Sequence, residues 1–377
     1  MKPKTKILHV VGKMHPGGIE TLLMNLYRTI DRDQYEFHFA VQFEEKGFYD
    51  DEIIELGGRI FRQPHPKKGL RAFRRAFLAN LKEHGPYQVV HSHIYQFSGY
   101  VLKLAGEMNV PVRISHSHNT HDSKRESWLR NLYRRYMRGL IRSNSTTMLG
   151  CSRSACEALF GPDCWGDERV VVFPNSIQVQ PYGQLERDRS AYRRAVGVTD
   201  PHVPVIGHIG RFSEQKNHRF LLDIFARFLR TCPDAQLVLI GDGPLRSEME
   251  ARVRELEIAD HVHLLGVRKN IPELIGAFDL FLLPSLYEGL GIVVIEAQAA
   301  GVPCLISDQV PAEADLNLGL VSRLSLNESA DTWAGAIRQK TVGSRIDWPV
   351  RLEALQECGY DIQTSVRRLE RMYAAAP

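Results

Sequence analysis

Along the first half of the chain, short continuous apolar runs alternate with longer stretches whose apolar residues recur at helical spacing. "KILHVV" (6–11), "EFHFAVQ" (36–42), "YQVVHSH" (87–93), "VPVRISHSH" (110–118) and "TTMLGCS" (146–152) predict strands. Between them lie amphipathic helices such as "GGIETLLMNLYRTI" and the basic "KKGLRAFRRAFLANLK" (67–82). The pattern pauses after "VVVFPNSIQ". Residues 179–202 are polar, contain Pro181 and Pro201, and read as a linker with a short helix. The alternation then restarts with "VPVIGHIGRF" (203–212), "AQLVLIGDG" (235–243), "HVHLLG" (261–266), "LFLLPS" (280–285) and "VPCLIS" (302–307). Strands that are apolar throughout are buried on both faces, and their alternation with helices implies parallel, doubly wound sheets. We therefore expect two Rossmann-like α/β domains, residues 1–177 and 178–360, with a cleft between them. A last helix over 361–377 is expected to pack back on the first domain.

Length and composition agree with this division. At 377 residues the chain is about twice a usual domain. Hydrophobic residues make up 44% and charged residues 24%, as in ordinary globular proteins. No apolar run approaches the roughly 18–20 residues of a membrane span. The patch after the first lysines is too short for a signal peptide, so a cytoplasmic location is expected. The six cysteines form no CxxC pair and read as free thiols. A zinc site from Cys151, Cys156 and Cys164 with nearby histidines is the alternative.

Charge changes the picture more. The net charge is only +4, yet residues 1–177 carry 26 basic against 18 acidic side chains, while residues 178–377 carry 22 against 26. A basic half and an acidic half point to different partners. "SKRESWLRNLYRRYMRGLIRS" (123–143) repeats Trp128, Leu129, Leu132, Tyr133, Tyr136, Met137, Leu140 and Ile141 at helical spacing. Basic residues flank them: Lys124, Arg125, Arg130, Arg134, Arg135, Arg138 and Arg142. Such a helix either packs on its own sheet with its arginines in water or lies on an anionic membrane surface. Nucleic acid is not expected, because no recognition motif accompanies the charge.

Ligands in doubly wound sheets bind beyond the carboxyl ends of the strands, and the candidate chemistry falls there. "GHIGRFSEQKN" puts Arg211 and Lys216 between a strand and a helix, where two cations beside a helix N-terminus suit a diphosphate. "LIGDGPL" places Gly241, Asp242 and Gly243 in a similar turn. "LFLLPSLYEGLGIVVIEAQAAG" reads as strand, loop and a helix starting near Gly291, with Glu288 in the loop and Glu296 on the helix. A carboxylate in such apolar company needs a partner, and a ribose diol offers two hydrogen bonds. The D-x-D at Asp31–Asp33 lies between a helix and a strand and reads as a solvated turn.

Glu288 and Glu296 reproduce an E-x7-E spacing. With "HPGGIE", "HSHN", "GRFSEQKN", "GDGPL" and "EGLGIVVIEAQAAGVP" in order, the chain resembles the retaining glycosyltransferases of family GT4, whose fold is GT-B. "ISDQVPAEADL" and "GYDIQTSVRRLERMY" are similar to the exopolysaccharide and capsule branch. The resemblance implies that Glu296 binds the nucleotide ribose and Glu288 the donor sugar. Arg211 and Lys216 would hold the diphosphate, and backbone N–H groups along Gly289, Leu290, Gly291, Ile292 and Val293 would meet sugar and phosphate. The backbone near Val267 would read the base, Gly17 and Gly18 would form the opposing loop, and His118 would stand beside the transferred sugar. The catalytic expectation is thus His118 and Glu288.

No metal and no cofactor are expected, because fixed cations and dipoles can carry the leaving-group charge. His118 has two other readings: a histidine packed at a strand end, or, with "HSH" at 91–93, part of a metal cluster. Many relatives have Pro-Asn-Gly-Ile-Asp where this chain has "PNSIQ" (174–178), which affects the interdomain turn and not the chemistry. The expected substrates are a nucleotide-diphosphate sugar, UDP-linked, and a glycan or lipid-linked acceptor, with the enzyme at the inner membrane face. The rivals are a nucleotide-sugar epimerase, a phosphorylase, and a non-catalytic nucleotide-sugar-binding partner of a polysaccharide synthase complex.

Overall fold

The most apolar runs form the middle of two parallel sheets. The computed structural model describes residues 3–15, 17–119, 127–185, 189–340 and 346–374. The chain makes two compact units, Met1–Ser176 with Ile362–Pro377, and Ile177–Asp361. The first contains β1 (Thr5–Val11), β2 (Tyr35–Val41), β3 (Arg59–Arg62), β4 (Val89–Ser92), β5 (Val112–Ser117), β6 (Thr147–Gly150) and β7 (Val170–Val172). Their order across the sheet is β3-β2-β1-β4-β5-β6-β7. The second contains β8 (Val205–Ile209), β9 (Gln236–Ile240), β10 (Val262–Gly266), β11 (Leu280–Leu283), β12 (Cys304–Ser307) and β13 (Val321–Leu324), in the order β10-β9-β8-β11-β12-β13.

Each order reverses once, between β1 and β4 in the first unit and between β8 and β11 in the second. At such a reversal the following helices leave towards opposite faces, so the loops part and open a crevice at the strand ends. Two strands escape the pattern reading. β3 is "RIFR", with both arginines exposed, and β13 is "VSRL", half-buried along its length. Both lie at a sheet edge, where a strand has one neighbour and less apolar surface to hide.

The polar stretch after residue 178 is not a free linker. Val179, Tyr182 and Leu185 are buried in the second unit. They recur every third residue around a 3-10 turn at Gln180–Gln184, so one side of that turn is apolar. Arg193, on the short helix that follows, is buried against Asp279.

The final helix, Ile362–Ala374, buries Ile362, Val366, Leu369 and Tyr373 in a cluster with Leu22, Leu23, Leu26 and Tyr27 of the helix Gly18–Thr29. The Asp31–Asp33 turn is closed by its own bonds: Asp31 Oδ1 accepts from the Asp33 N–H at 2.9 Å. Leu369→Ala should cost the first unit about 2–5 kcal/mol, as for buried leucines elsewhere. Urea unfolding followed by a first-unit fluorophore measures it; an unchanged midpoint would mean that the helix is not an integral part of that core.

Candidate active site

In the second unit the loops after β8 and β11 carry the expected donor residues, one on each side of the reversal. Lys216 lies in a 3-10 turn at Glu214–Lys216, and its Nζ is 2.6 Å from Glu288 Oε1. Their side chains keep only 14% and 6% exposure, so the ion pair is buried. Gln215 ties the same two loops: its Nε2 donates to the Tyr287 carbonyl at 3.0 Å and to Glu288 Oε2 at 3.3 Å. Its own carbonyl accepts from the Leu286 N–H at 2.8 Å. An ammonium has three donors, so Lys216 can hold Glu288 and still address an anion.

Gly291 adopts a left-handed conformation, φ 84°, and caps the helix Ile292–Ala299. The first N–H groups of a helix have no partner within it, and these face the space beyond the cap. Two contacts fix the other end. Gln298 bridges the Ala314 carbonyl (2.7 Å) and the Leu316 N–H (3.0 Å). Buried Arg351 donates to the Ala299 carbonyl at 2.6 Å, a cation on a helix C-terminus.

Glu296, on this helix, accepts a 3.3 Å hydrogen bond from the Tyr182 hydroxyl. The residue keeps some surface, but burial of its carboxyl raises the pKa to about 7, and the tyrosine bond only partly opposes this. Arg211 is exposed on the loop that carries Lys216. Gly241 and Gly243 serve packing: a Cβ on either would strike the carbonyl of Gly210 or of Phe212. Val267 follows directly on β10, whose last residue Gly266 accepts from the Gly241 N–H at 2.9 Å.

The first unit gathers Gly17, Gly18 and His118. Gly17 and Gly18 open the helix after β1, and Asn175 Nδ2 donates to the Gly18 carbonyl at 3.5 Å. His118 follows β5 and is buried, with the Asn175 side chain beside it. It belongs to a larger group. His9, His91, His93, His116 and His118 are all buried on one face of the sheet. Their ring nitrogens meet in pairs: His9 Nδ1 with His93 Nε2 at 3.1 Å, His93 Nδ1 with His118 Nε2 at 2.9 Å, and His91 Nε2 with His116 Nδ1 at 3.2 Å. His91 Nδ1 meets the Tyr373 hydroxyl at 3.0 Å.

Burial lowers the pKa of all five and takes His9 and His118 to about 3, so the rings are neutral. Two triads, His9–His91–His93 and His93–His116–His118, have nitrogens within 4.8 Å of one another, as a metal ion would require. No carboxylate or cysteine joins either triad among the described residues.

Pattern reading missed four of these contributors. Gln215 lies inside a segment already singled out, but nothing marked its bridging role. Tyr182 sits in a stretch read as linker. Asn175 was noted only for a turn, and His9 looked like one polar residue in a strand.

The two parallel α/β units place the chain in the GT-B class of folds, and comparison with known proteins gives the enzyme class. Residues 16–180 match the family model for "Glycosyltransferase Family 4" and residues 193–339 that for "Glycosyl transferases group 1". EpsF of Bacillus subtilis (strain 168), named as a glycosyltransferase, is 39% identical over 98% of this chain and 96% of its own. The UDP-Gal:alpha-D-GlcNAc-diphosphoundecaprenol alpha-1,3-galactosyltransferase of Escherichia coli is 23% identical over 81% of this chain and 80% of its own. The crystal structure of Anabaena HepE in complex with UDP superposes with a TM-score of 0.77 at 20% identity, over 99% of this chain and all of that one. This chain belongs to glycosyltransferase family 4 and is a glycosyltransferase of GT-B fold.

The raised pKa of Glu296 gives a pH signature. A carboxyl with a folded-state pKa near 7 holds its proton below that value and accepts diol hydrogen bonds fully only above it. Affinity for UDP-glucose, whose diphosphate has no proton to gain in this range, should weaken about tenfold per pH unit below 7 if the ionised form is required. Calorimetry between pH 5.5 and 8 measures it, and Glu296→Gln should flatten the dependence. A wild-type affinity that does not change across that range would show that binding does not depend on the ionised carboxyl of Glu296.

Proposed function

We propose that the enzyme transfers a sugar, with retention of configuration, from a UDP-linked donor to a glycan or lipid-linked acceptor in exopolysaccharide or capsule synthesis. The Lys216–Glu288 pair beside the Gly291-capped helix is the observation that carries the donor half of this reading. Glu296 receives the ribose diol, and Glu288 contacts the sugar while keeping Lys216 in place. Arg211, Lys216 and the helix N–H groups meet the diphosphate as its bond to the anomeric carbon breaks. With that charge neutralised by fixed groups, no metal is needed. Acceptor oxygen bonds to the same face of the carbon, and its proton passes to the departing phosphate oxygen. His118, Gly17 and Gly18 are assigned to the sugar and phosphate from the first unit. Support for UDP and for a lipid-linked acceptor comes from two relatives: HepE holds UDP, and the E. coli enzyme acts on a diphosphoundecaprenol substrate.

A panel of UDP- and GDP-sugars, scored for thermal stabilisation and slow hydrolysis in EDTA, tests the donor assignment. UDP-sugars should stabilise and turn over; Glu288→Ala and Glu296→Ala should each lower turnover at least a hundredfold in a folded protein. Full activity in the double variant, or activity restored only by a divalent ion, overturns the reading. Phosphate-dependent cleavage, or epimerisation without acceptor, would support the rival enzymes.

The acceptor half rests on the helix Trp128–Asn144. Trp128, Leu129, Leu132 and Tyr136 are 74%, 60%, 59% and 59% exposed, while only Met137 and Ile141 are buried. Arg130, Arg134 and Arg135 rise from the same turns. Arg138 and Arg142 are engaged elsewhere, at the carbonyls of Leu159 and Phe160 and at Asp163. Lys124 and Arg125 lie outside the described residues. No described helix is long and apolar enough to cross a membrane. An exposed aromatic and aliphatic face between arginines suits the surface of an anionic bilayer, where a lipid-linked acceptor is presented. The protein should float with phosphatidylglycerol vesicles at low salt, and the combined Trp128→Ser, Leu132→Ser, Tyr136→Ser variant should not. Absence of wild-type binding at low salt excludes the membrane.

A further inference from the structure

We propose that the first unit carries a second ligand site, in which Arg368 and Arg371 of the final helix bind a phosphate ester over the starts of β5 and β6. The transfer reaction does not require this site, and no residue of it belongs to the donor constellation.

A cavity of about 450 Å3 is lined by Val112, Thr146, Thr147, Arg368, Arg371 and Met372. That volume falls within the roughly 300–1,000 Å3 of small-molecule sites. Its place follows from the local structure. Val112 opens β5, and Thr147 opens β6 with Thr146 just before it. Arg368, Arg371 and Met372 are three and four residues apart on the helix Ile362–Ala374, so they share one face. Val366, Leu369 and Tyr373 turn instead to the first-unit core. His118 follows the opposite end of β5. The 6 residues of that strand, at about 3.3 Å each, put roughly 20 Å between Val112 and His118. The cavity is thus distinct from the place assigned to the transferred sugar.

Charge gives the class of ligand. A guanidinium has five N–H donors and keeps its charge in proteins. Arg368 Nη2 donates to the Val172 carbonyl at 3.1 Å, and its guanidinium carbon lies 5.5 Å from the centre of the Phe173 ring. Arg371 Nε donates to the Arg367 carbonyl at 3.2 Å. Each therefore keeps most of its donors, and neither is paired with a carboxylate among the described residues. Arg28, Arg193 and Arg252 show the other arrangement, each against an acidic side chain. Burial, and after it the neighbouring Arg371, lower the pKa of Arg368, as two like charges beside one space should.

Two cations without a counter-ion call for a compact ligand with more than one negative charge. A phosphate monoester carries about 1.5 to 2 near neutral pH and presents three oxygens, which guanidinium groups bind in bidentate fashion; a carboxylate carries one. The threonines add little charge recognition: the Thr146 hydroxyl is taken up by the backbone N–H and carbonyl of Arg113. Val112 and Met372 belong to the edge of the apolar core, so the remainder of the cavity suits an apolar substituent on the ester.

Phenyl phosphate has both parts and is the probe. In methyl-13C-methionine spectra of the intact protein, with Met372 assigned through Met372→Leu, the Met372 signal should shift saturably at constant ionic strength. The combined Arg368→Gln, Arg371→Gln variant should bind about tenfold or more weakly. Unmoved signals from the other methionines show that this variant is folded. Arg211→Gln, in the second unit, should bind as the wild type does. Equal affinity in the double arginine variant, an equal shift with chloride, or loss of the shift in Arg211→Gln overturns the proposal. Two sources supply this chemistry, a soluble ester and a lipid headgroup. In protein carrying Trp128→Ser, Leu132→Ser and Tyr136→Ser, flotation with phosphatidic acid vesicles that the two arginine substitutions abolish identifies the headgroup. Failure to float, with Met372 still shifted by phenyl phosphate, identifies the soluble ester.

Discussion

Lys216 and Glu288 are 2.6 Å apart, and neither is tolerable in that place without the other. Each keeps little exposure, and a lone buried charge costs several kcal/mol. Their pairing therefore obliges the loops after β8 and β11 to meet. Those loops come from adjacent strands on either side of the reversal in strand order. Gln215 reinforces the junction through backbone and side chain together. Once Glu288 is placed, Gly291 follows three residues later with a left-handed turn, and the helix start is fixed in space.

That chain of dependence explains the chemistry at Glu296. The helix it stands on is anchored at its far end by Arg351 and Gln298. The carboxyl is held in a site that favours its neutral form, with Tyr182 offering one hydrogen bond where ionisation asks for more. The helix thus holds a carboxyl whose charge is costly and whose one hydrogen-bond partner among the described residues is a tyrosine from a segment far away in sequence.

Much of this was legible in the sequence, for identifiable reasons. Central strands such as Leu237–Ile240 and Leu280–Leu283 are apolar on both faces, so continuous runs reveal them. Edge strands β3 and β13 lack that signal because each has one neighbour. Glu288 and Glu296 stood out because charge in apolar company is unusual. Tyr182 did not, because a tyrosine between a proline and a glycine carries no mark of a partner 114 residues away. The arginines of the Trp128–Asn144 helix looked alike on paper; only packing shows that Arg138 and Arg142 hold the neighbouring helix at its carboxyl end. His9 and His93 were visible as letters, yet their relation depends on strand order, since β1 and β4 are neighbours only after folding.

The two units hide polar groups in both charged and neutral form. The second neutralises full charges in pairs, Lys216 with Glu288 and Arg193 with Asp279, and buries His208 and His218 uncharged. The first buries five rings and keeps every one uncharged. Desolvation alone secures neutrality, as the depressed pKa values of all five rings show. What desolvation does not choose is which nitrogen of each ring holds the proton; the pairing of rings across β1, β4 and β5 couples those choices to one another.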